Sequence, residues 1–476
     1  MKKKICVIAA ALVLVLVMAI GLVACNKYKW NVGGGDASAE VISNGGYAVQ
    51  QGKYLYYING FDGTDGADNT FGVPVKQSIA RTEVKVENGK IVPDLSTTKV
   101  VVPKTVLYSS SPKEGGFAIY GEWIYYATPN YDRDKNGVAS TTDTDIMRTK
   151  IDGSVTQLIA QIHVRTAQFF FTEHRVIYLD GTTLNYVDFS GMKTDKEIRN
   201  GKGAVSGVLA ENVANTKALW KYGHDRIYYV RTVTGSDSYK NYNEICSVNI
   251  DGGEPTVIAT QNTFLEGNET PEDKILKVFQ YTLVGLHVDD GGNATLYYTK
   301  THRSGESSVS DGFFCAKAAD INGTQKQLCT STVSNIYPLG YEDGVFATVN
   351  SNLYLLKAGA NFEDNKIANG SQLVCYVDTA NKVVYYTATS SATALNMISY
   401  ADNSGNNAVV VEEGIKVDWL PLDFVGSNLV FFATDDSNEA HIADIFSFDK
   451  DETDEDGEKV KTPYLGFERK DEDEDK

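Results

Sequence analysis

The chain has 476 residues, enough for two or three average domains or one large repeat array. Its 44 Lys and Arg against 62 Asp and Glu give a net charge of −18. No basic surplus is left to neutralise phosphates, which argues against DNA or RNA as a partner. With 42% hydrophobic residues the chain has material for a core, which excludes wholesale disorder; 28 Tyr, 42 Gly and only 10 Pro favour strands joined by turns.

Met1-Lys2-Lys3-Lys4 is a short positive segment, followed by an uncharged Val, Leu, Ile and Ala run from Ile5 to Ala24. The run ends in Leu22-Val23-Ala24-Cys25, which resembles the bacterial lipobox. That resemblance implies a signal peptide over 1–24, removed on export, and a lipid on Cys25. An uncleaved membrane helix is the alternative, since 20 apolar residues can span a bilayer. Either way the remaining chain is expected outside the cytoplasm, held to the membrane. Residues 25–42 contain Gly33-Gly34-Gly35 and little apolar material, and read as a flexible tether.

From residue 43 onward a repeat dominates. An aliphatic residue followed by two aromatics recurs as Leu55-Tyr56-Tyr57, Ile124-Tyr125-Tyr126, Ile227-Tyr228-Tyr229, Leu296-Tyr297-Tyr298, Val384-Tyr385-Tyr386 and Val430-Phe431-Phe432. Ile177-Tyr178-Leu179 and Val345-Phe346-Ala347 are weaker copies. Eight copies cover the 375 residues from Tyr56 to Phe431, about 54 per interval, near a propeller-blade period. Each has a short strand and polar turn before it, then a variable loop, a third strand, a Gly turn such as Asp152-Gly153 or Asp251-Gly252, and a fourth apolar strand. The expectation is all-β: a single propeller of four-stranded antiparallel blades over 43–467, eight-bladed, with seven blades as the alternative. Successive strand residues point to opposite faces, so each aromatic doublet should fill both neighbouring blade interfaces at once.

Ser43-Asn44-Gly45-Gly46-Tyr47-Ala48, Tyr54-Leu55-Tyr56-Tyr57-Ile58-Asn59 and Asp145-Ile146-Met147-Arg148-Thr149-Lys150-Ile151-Asp152-Gly153 carry a resemblance. They resemble repeats of bacterial surface lipoproteins with a β-propeller domain of unknown function. Those repeats are similar in turn to the YWTD propellers of lipoprotein receptors and to the Tol-type periplasmic propeller. The resemblance spans roughly residues 40–467 and implies no catalytic residues.

Cys315 and Cys329 flank Asn322-Gly323, a hairpin signal, and are expected nearly opposite each other on paired strands. A disulfide and buried free thiols both remain open. The six His show no HExxH and no close metal-ligand spacing, and no Gly-x-Ser-x-Gly elbow or Walker loop occurs. A glycosidase carboxylate pair is spatial and cannot be read from one sequence. One loop has cation spacing: Asp132, Asp134, Asn136, Ser140 and Asp143 fall at positions 1, 3, 5, 9 and 12, Gly137 at 6 and the Val138 carbonyl at 7. These residues are the expected calcium ligands, with a solvated acidic turn as the alternative.

The long segments 60–77, 127–144, 231–243, 299–311 and 433–443 all follow the aromatic strand, so one face should carry them and the opposite face the short Gly turns. A ligand, protein or carbohydrate, is expected on the loop-rich face near Tyr131, Asp132, Tyr239, Tyr242 and Arg303. Residues 449–476 hold 13 acids and 6 bases, and 468–476 are expected to be a disordered acidic tail. The functional expectation is a lipid-anchored, non-catalytic binding or scaffolding protein at the cell surface, not an enzyme. The rival is a secreted carbohydrate-active hydrolase or lyase with its site in the propeller funnel, and a third reading is a partner in an envelope complex.

Overall fold

The computed structural model describes residues 35, 48–59, 78–87, 90–110, 113–131, 139–163, 169–192, 203–214, 219–220, 225–234, 241–260, 279–304, 307–380, 382–388, 396–400, 407–409, 422–425, 428–433, 444–446, 449–453 and 459–463. Residues 1–24, Cys25 and the tail after 463 lie outside them.

Seven four-stranded antiparallel sheets follow one another along the chain, each built from four consecutive strands. Blade 1 holds β1 Ala48–Gln51, β2 Tyr54–Asn59, β3 Ser78–Glu87 and β4 Lys90–Val102. A small hairpin, β5 Tyr108–Ser110 and β6 Lys113–Gly115, leads into blade 2, with β7 Phe117–Tyr120, β8 Trp123–Tyr131, β9 Ala139–Lys150 and β10 Thr156–Ile162. Blade 3 has β11 Phe169–Phe171, β12 Arg175–Asp180, β13 Thr183–Asp188 and β14 Val205–Ala210; blade 4 has β15 Leu219–Trp220, β16 Arg226–Val233, β17 Tyr242–Asn249 and β18 Thr256–Ala259. Blade 5 has β19 Phe279–Val288, β20 Ala294–Ser304, β21 Ser307–Lys317, a one-turn helix α1 Ile321–Thr324 and β22 Lys326–Cys329. Blade 6 has β23 Val333–Gly340, β24 Gly344–Val349, β25 Asn352–Leu356 and β26 Lys366–Asn369; blade 7 has β27 Gln372–Asp378, β28 Val383–Ala388, β29 Asn396–Ser399 and β30 Asn407–Val409.

The expected count of eight four-stranded blades is corrected to seven. The eighth copy forms a three-stranded sheet of β31 Leu422–Val425, β32 Asn428–Ala433 and β33 Asp444–Phe446, beside β1 and β27. Among the described residues no fourth strand joins β33; the chain continues into a separate hairpin, β34 Asp449–Thr453 with β35 Lys459–Pro463. Residues 449–458 hold seven acids and one base, and like charges brought opposite each other weaken strand pairing.

Among the described residues the core is not one cluster but six, one at each interface between successive four-stranded blades. Tyr56 packs toward blade 2, while Tyr126 packs back against blade 1; Tyr125 packs forward against Phe169, Phe171 and Phe189 of blade 3. Tyr228 with Tyr298, and Phe346 with Tyr386, repeat the arrangement at the blade 4–5 and 6–7 interfaces. The aromatic doublet thus fills two interfaces at once. Pleating gives Tyr57 and Tyr385 the faces away from blades 2 and 6, and both are fully buried. Copy three is out of register by one residue: Tyr178 pairs with Phe169 as Tyr126 pairs with Phe117. Its equivalent triplet is therefore Val176-Ile177-Tyr178, because a one-residue slip exchanges the faces.

The turns between third and fourth strands repeat as well. The backbone N–H just past the third strand donates to the carbonyl at the start of the second: Ile151 to Glu122 at 3.0 Å, and Phe189 to His174, Ile250 to Asp225, Ala318 to Ala294 and Tyr400 to Lys382 at 2.8 Å. Asn322-Gly323 does not make the expected hairpin turn. It lies in α1, capped by Asp320, whose Oδ1 accepts from the Gly323 N–H at 2.9 Å. The extra residues shift the pairing, so Cys315 faces Lys326 and Cys329 faces Phe313. The two cysteines are not opposite, and both are free.

Candidate functional site

The face opposite those turns carries the insertions. Several are not loops but ladder extensions: β20 runs on to Ser304 and β21 begins at Ser307, so the expected 299–311 loop is mostly hairpin. Blades 3 and 6 turn at Gly181-Thr182 and Asn350-Ser351 with no ladder extension, and leave low walls in the rim.

The extended hairpin of blade 5 builds the best-defined polar site. Lys300 pairs with Gly312 and Thr301 with Ser310, which leaves Asp311 as the extra residue of a bulge. Gly312 has φ +116°, and a Cβ there would sit 2.5 Å from the Cys329 carbonyl oxygen, so the bulge demands glycine. Bulges re-aim side chains. Here the Asp311 carboxylate meets His302, with Oδ1 2.9 Å from Nδ1. Its second oxygen, Oδ2, is buried with no hydrogen-bond partner among the described residues.

His302, Lys300, Tyr281 and Phe279 share the face of blade 5 that turns toward blade 4, as pairing across β19 and β20 requires. Lys300 Nζ stands 3.8 Å from the centre of the Phe279 ring. Tyr281 packs edge-on against Tyr298 at 5.9 Å, and Tyr298 stacks on Phe314 at 5.8 Å. Burial, and then the Asp311 charge, push the Tyr281 phenol above its ordinary range, so it stays protonated at neutral pH. The strand is pinned from blade 4. Asn243 Nδ2 donates to the Tyr281 carbonyl at 2.8 Å, and the Tyr281 N–H donates to Asn243 Oδ1 at 2.6 Å. With Nδ1–H given to Asp311, His302 keeps Nε2 as a proton acceptor, and its side chain remains 30% exposed.

Of the expected binding-face residues, Tyr131 ends β8, Tyr242 begins β17 and Arg303 follows His302 in β20, all at the insertion-bearing ends of their strands. Tyr239 lies outside the described residues. The structure does not gather the three described ones at one point: Tyr131 belongs to blade 2, and Tyr242 shares its face with Glu244 on the blade 3 side of β17. Glu244 is buried there, paired with Arg231 at 2.6 Å and accepting from Thr260 at 2.7 Å, as a structural ion pair. Of the expected calcium ligands, Asp132, Asp134, Asn136 and Val138 lie outside the described residues. Ser140 and Asp143 fall on β9, and Asp143 Oδ1 is 2.8 Å from His163 Nδ1.

The His302–Asp311 pair escaped the sequence reading, because His302 shows no motif spacing. The Ser304-Gly305-Glu306-Ser307 turn signal sets only the pairing of His302 with Val309; Asp311 meets His302 through the bulge.

No family model matches the sequence, and no curated protein matches it. Among solved structures the chain is similar to an oligogalacturonate lyase in complex with manganese, at 9% identity and a TM-score of 0.39, over 83% of this chain and 97% of that one. It is similar to the acylaminoacyl peptidase of Pyrococcus horikoshii at 10% identity and a TM-score of 0.36, over 85% of this chain but only 59% of the peptidase. Saccharomyces cerevisiae Sqt1 matches at 10% identity and a TM-score of 0.41, over 86% of this chain and 97% of that one. The expectation that the chain is not an enzyme is corrected here: chains of similar architecture include a lyase and a peptidase, so the fold gives no ground for excluding catalysis. The all-β propeller of repeated blades rests on the sheet order of this chain, and no family is shown.

Proposed function

We propose that the protein is an extracytoplasmic, lipid-anchored propeller acting on a carbohydrate, as a hydrolase or lyase, at the insertion-bearing rim between blades 4 and 5. The observation that carries this reading is the His302–Asp311 pair, set by a glycine-dependent bulge, with an unpartnered buried carboxylate oxygen. Asp311 fixes the tautomer, and Nε2 of His302 takes a proton from substrate or from an attacking water. Lys300 supplies a positive charge beside the developing negative one. Phe279, half-buried beside Lys300, offers aromatic surface for a sugar ring.

The test is to offer the purified mature chain a panel of neutral and acidic polysaccharides and follow new reducing ends. Unsaturated products, seen by ultraviolet absorbance, would mark a lyase. His302→Gln and Asp311→Asn should each lower the initial rate about 100-fold while leaving the melting temperature within a few degrees. Variants as active as the wild type, or no turnover of any polysaccharide, would refute the reading.

A further inference from the structure

One tether residue is described, and it is not free of the propeller. Gly35 lies against Ile151 and Arg81: a Cβ on it would sit 2.9 Å from Ile151 Cγ1 and 3.7 Å from an Arg81 guanidinium nitrogen. Ile151 opens the short turn after β9, and Arg81 belongs to β3, so this is the notch between blades 1 and 2 on the short-turn face. The notch is rigid. Arg81 Nη1 donates to the Ile151 carbonyl at 2.9 Å, its guanidinium lies 4.2 Å from the Tyr54 ring centre, and both residues are buried. Gly35 has φ +152°, and a Cβ there would crowd the end of the Ile151 side chain, so the seat favours glycine.

Upstream, Lys27-Tyr28-Lys29-Trp30 joins two cations to two amphipathic aromatics, the residue types that favour the bilayer–water interface. Residues 30 and 35 are five apart, a reach of at most about 18 Å. Cys25 and Gly35 are ten apart, at most about 36 Å. A molecule held that closely at one face cannot present its faces at random.

We propose that the arm is seated at Gly35 in the blade 1–2 notch, so that the lipidated protein stands with its short-turn face toward the bilayer and its insertion-bearing rim outward. The proposal rests on the lipid anchor in the reading above and is independent of the catalytic assignment.

The experiment uses the lipidated chain in vesicles of phosphatidylethanolamine and phosphatidylglycerol containing a nitroxide-headgroup lipid. Burial pushes the Cys246 and Cys315 thiols up to about 11 and raises that of Cys329, so Cys375→Ser gives a background with little thiol reactivity. A fluorophore on Glu122→Cys reports the short-turn face; one on Thr182→Cys reports the rim. Quenching at 122 should exceed that at 182 at least twofold. Gly35→Val should abolish this difference and speed tryptic cleavage after Lys27 and Lys29 severalfold, with the melting temperature unchanged. Equal or reversed quenching in the Gly35 protein overturns the orientation, and unchanged cleavage in Gly35→Val overturns the seat. Palmitate incorporation reads the anchor separately: its absence overturns the bilayer half of the proposal, and polysaccharide turnover is unaffected by any of these outcomes.

Discussion

The two faces of the propeller are built on different terms. On the short-turn face, five blades close their third-strand turns with the same backbone hydrogen bond, at 2.8–3.0 Å. Two of these turns are also clasped by an arginine from the preceding blade: Arg81 reaches the Ile151 carbonyl at 2.9 Å, and Arg175 reaches the Ile250 carbonyl at 2.7 Å. On the opposite face the described residues repeat less: in blades 2 and 4 a link residue donates to the carbonyl just past the doublet, Leu107 to Ala127 at 2.8 Å and Ala214 to Val230 at 2.7 Å. Blade 5 extends its hairpin and bulges, blades 3 and 6 stop after two residues, and polar pairs such as His302–Asp311 occur singly. The repeated half is constrained by every neighbour it must fit. The unrepeated half is free to differ from blade to blade, and that is where a site can be built without disturbing the ring.

The largest effect should come from breaking what both faces share, the aromatic interfaces. Tyr126 is fully buried between blades 1 and 2, and its hydroxyl lies 2.9 Å from Thr149 Oγ1. Tyr126→Ala should cost about 3–5 kcal/mol, read as a lowered midpoint in denaturant titration. Tyr126→Phe loses only the hydroxyl contact and should cost about 1 kcal/mol. A loss under about 1 kcal/mol for Tyr126→Ala would show that blades 1 and 2 do not depend on the doublet.

The next test sharpens the contrast by cutting one clasp. Arg175 donates to Asp188 at 2.8 Å as well as to the Ile250 carbonyl, and its guanidinium lies 4.5 Å from the Tyr186 ring centre. Burial works to raise the Asp188 carboxyl, but hydrogen bonds from Ser190 and Arg175 outweigh it and hold the group below its ordinary value. A lowered native pKa favours the ionised native state. Its stabilisation is therefore complete above about pH 4 and fades as pH falls through the native value. Arg175→Met should cost about 1.5–3 kcal/mol at pH 7. The gap to wild type should narrow in thermal melts below pH 4, as the wild type itself loses the carboxylate. A gap that stays constant down to pH 2 would mean that Asp188 contributes nothing through Arg175.

The same contrast explains what could be read from the sequence. The second strands were legible because Leu55-Tyr56-Tyr57 and its copies state in three residues both a strand and two buried faces. Copy three was misaligned by one residue, because Ile177-Tyr178-Leu179 looks like the doublet while pairing with Phe169 assigns its faces otherwise. The turn at Asn322-Gly323 was misread because Asp320 caps a helical turn instead, a competition between two local hydrogen-bond patterns that composition does not decide. His302 and Asp311 were invisible because their meeting depends on a bulge, and a bulge is a property of two strands in register.

The smallest expected effect lies on the variable face, at residues 132–143 of blade 2, where the sequence spacing predicts a calcium loop. Ser140 and Asp143 are three apart on β9. Asp143 is the member in a position to compete: its carboxylate is already 2.8 Å from His163, a side chain 85% exposed. An exposed pair of this kind is worth at most about 1 kcal/mol, so a cation held by Asp132, Asp134, Asn136 and the Val138 carbonyl could displace His163 and take Asp143 as its last ligand. Binding that costs a hydrogen bond will be weak. At a Kd of about 1 mM, 10 mM calcium stabilises the native state by about 1.4 kcal/mol, a shift of about 1–2 °C in a chain this long. That shift should vanish in Asp132→Ala with Asp134→Ala and be reduced in Asp143→Asn. His163→Ala, which removes the His163 contact, should enlarge it, since the cation no longer has that side chain to displace. A shift of the same size in His163→Ala and wild type would place Asp143 outside the cage, and no shift in either would leave residues 132–143 as an acidic turn extended into a strand.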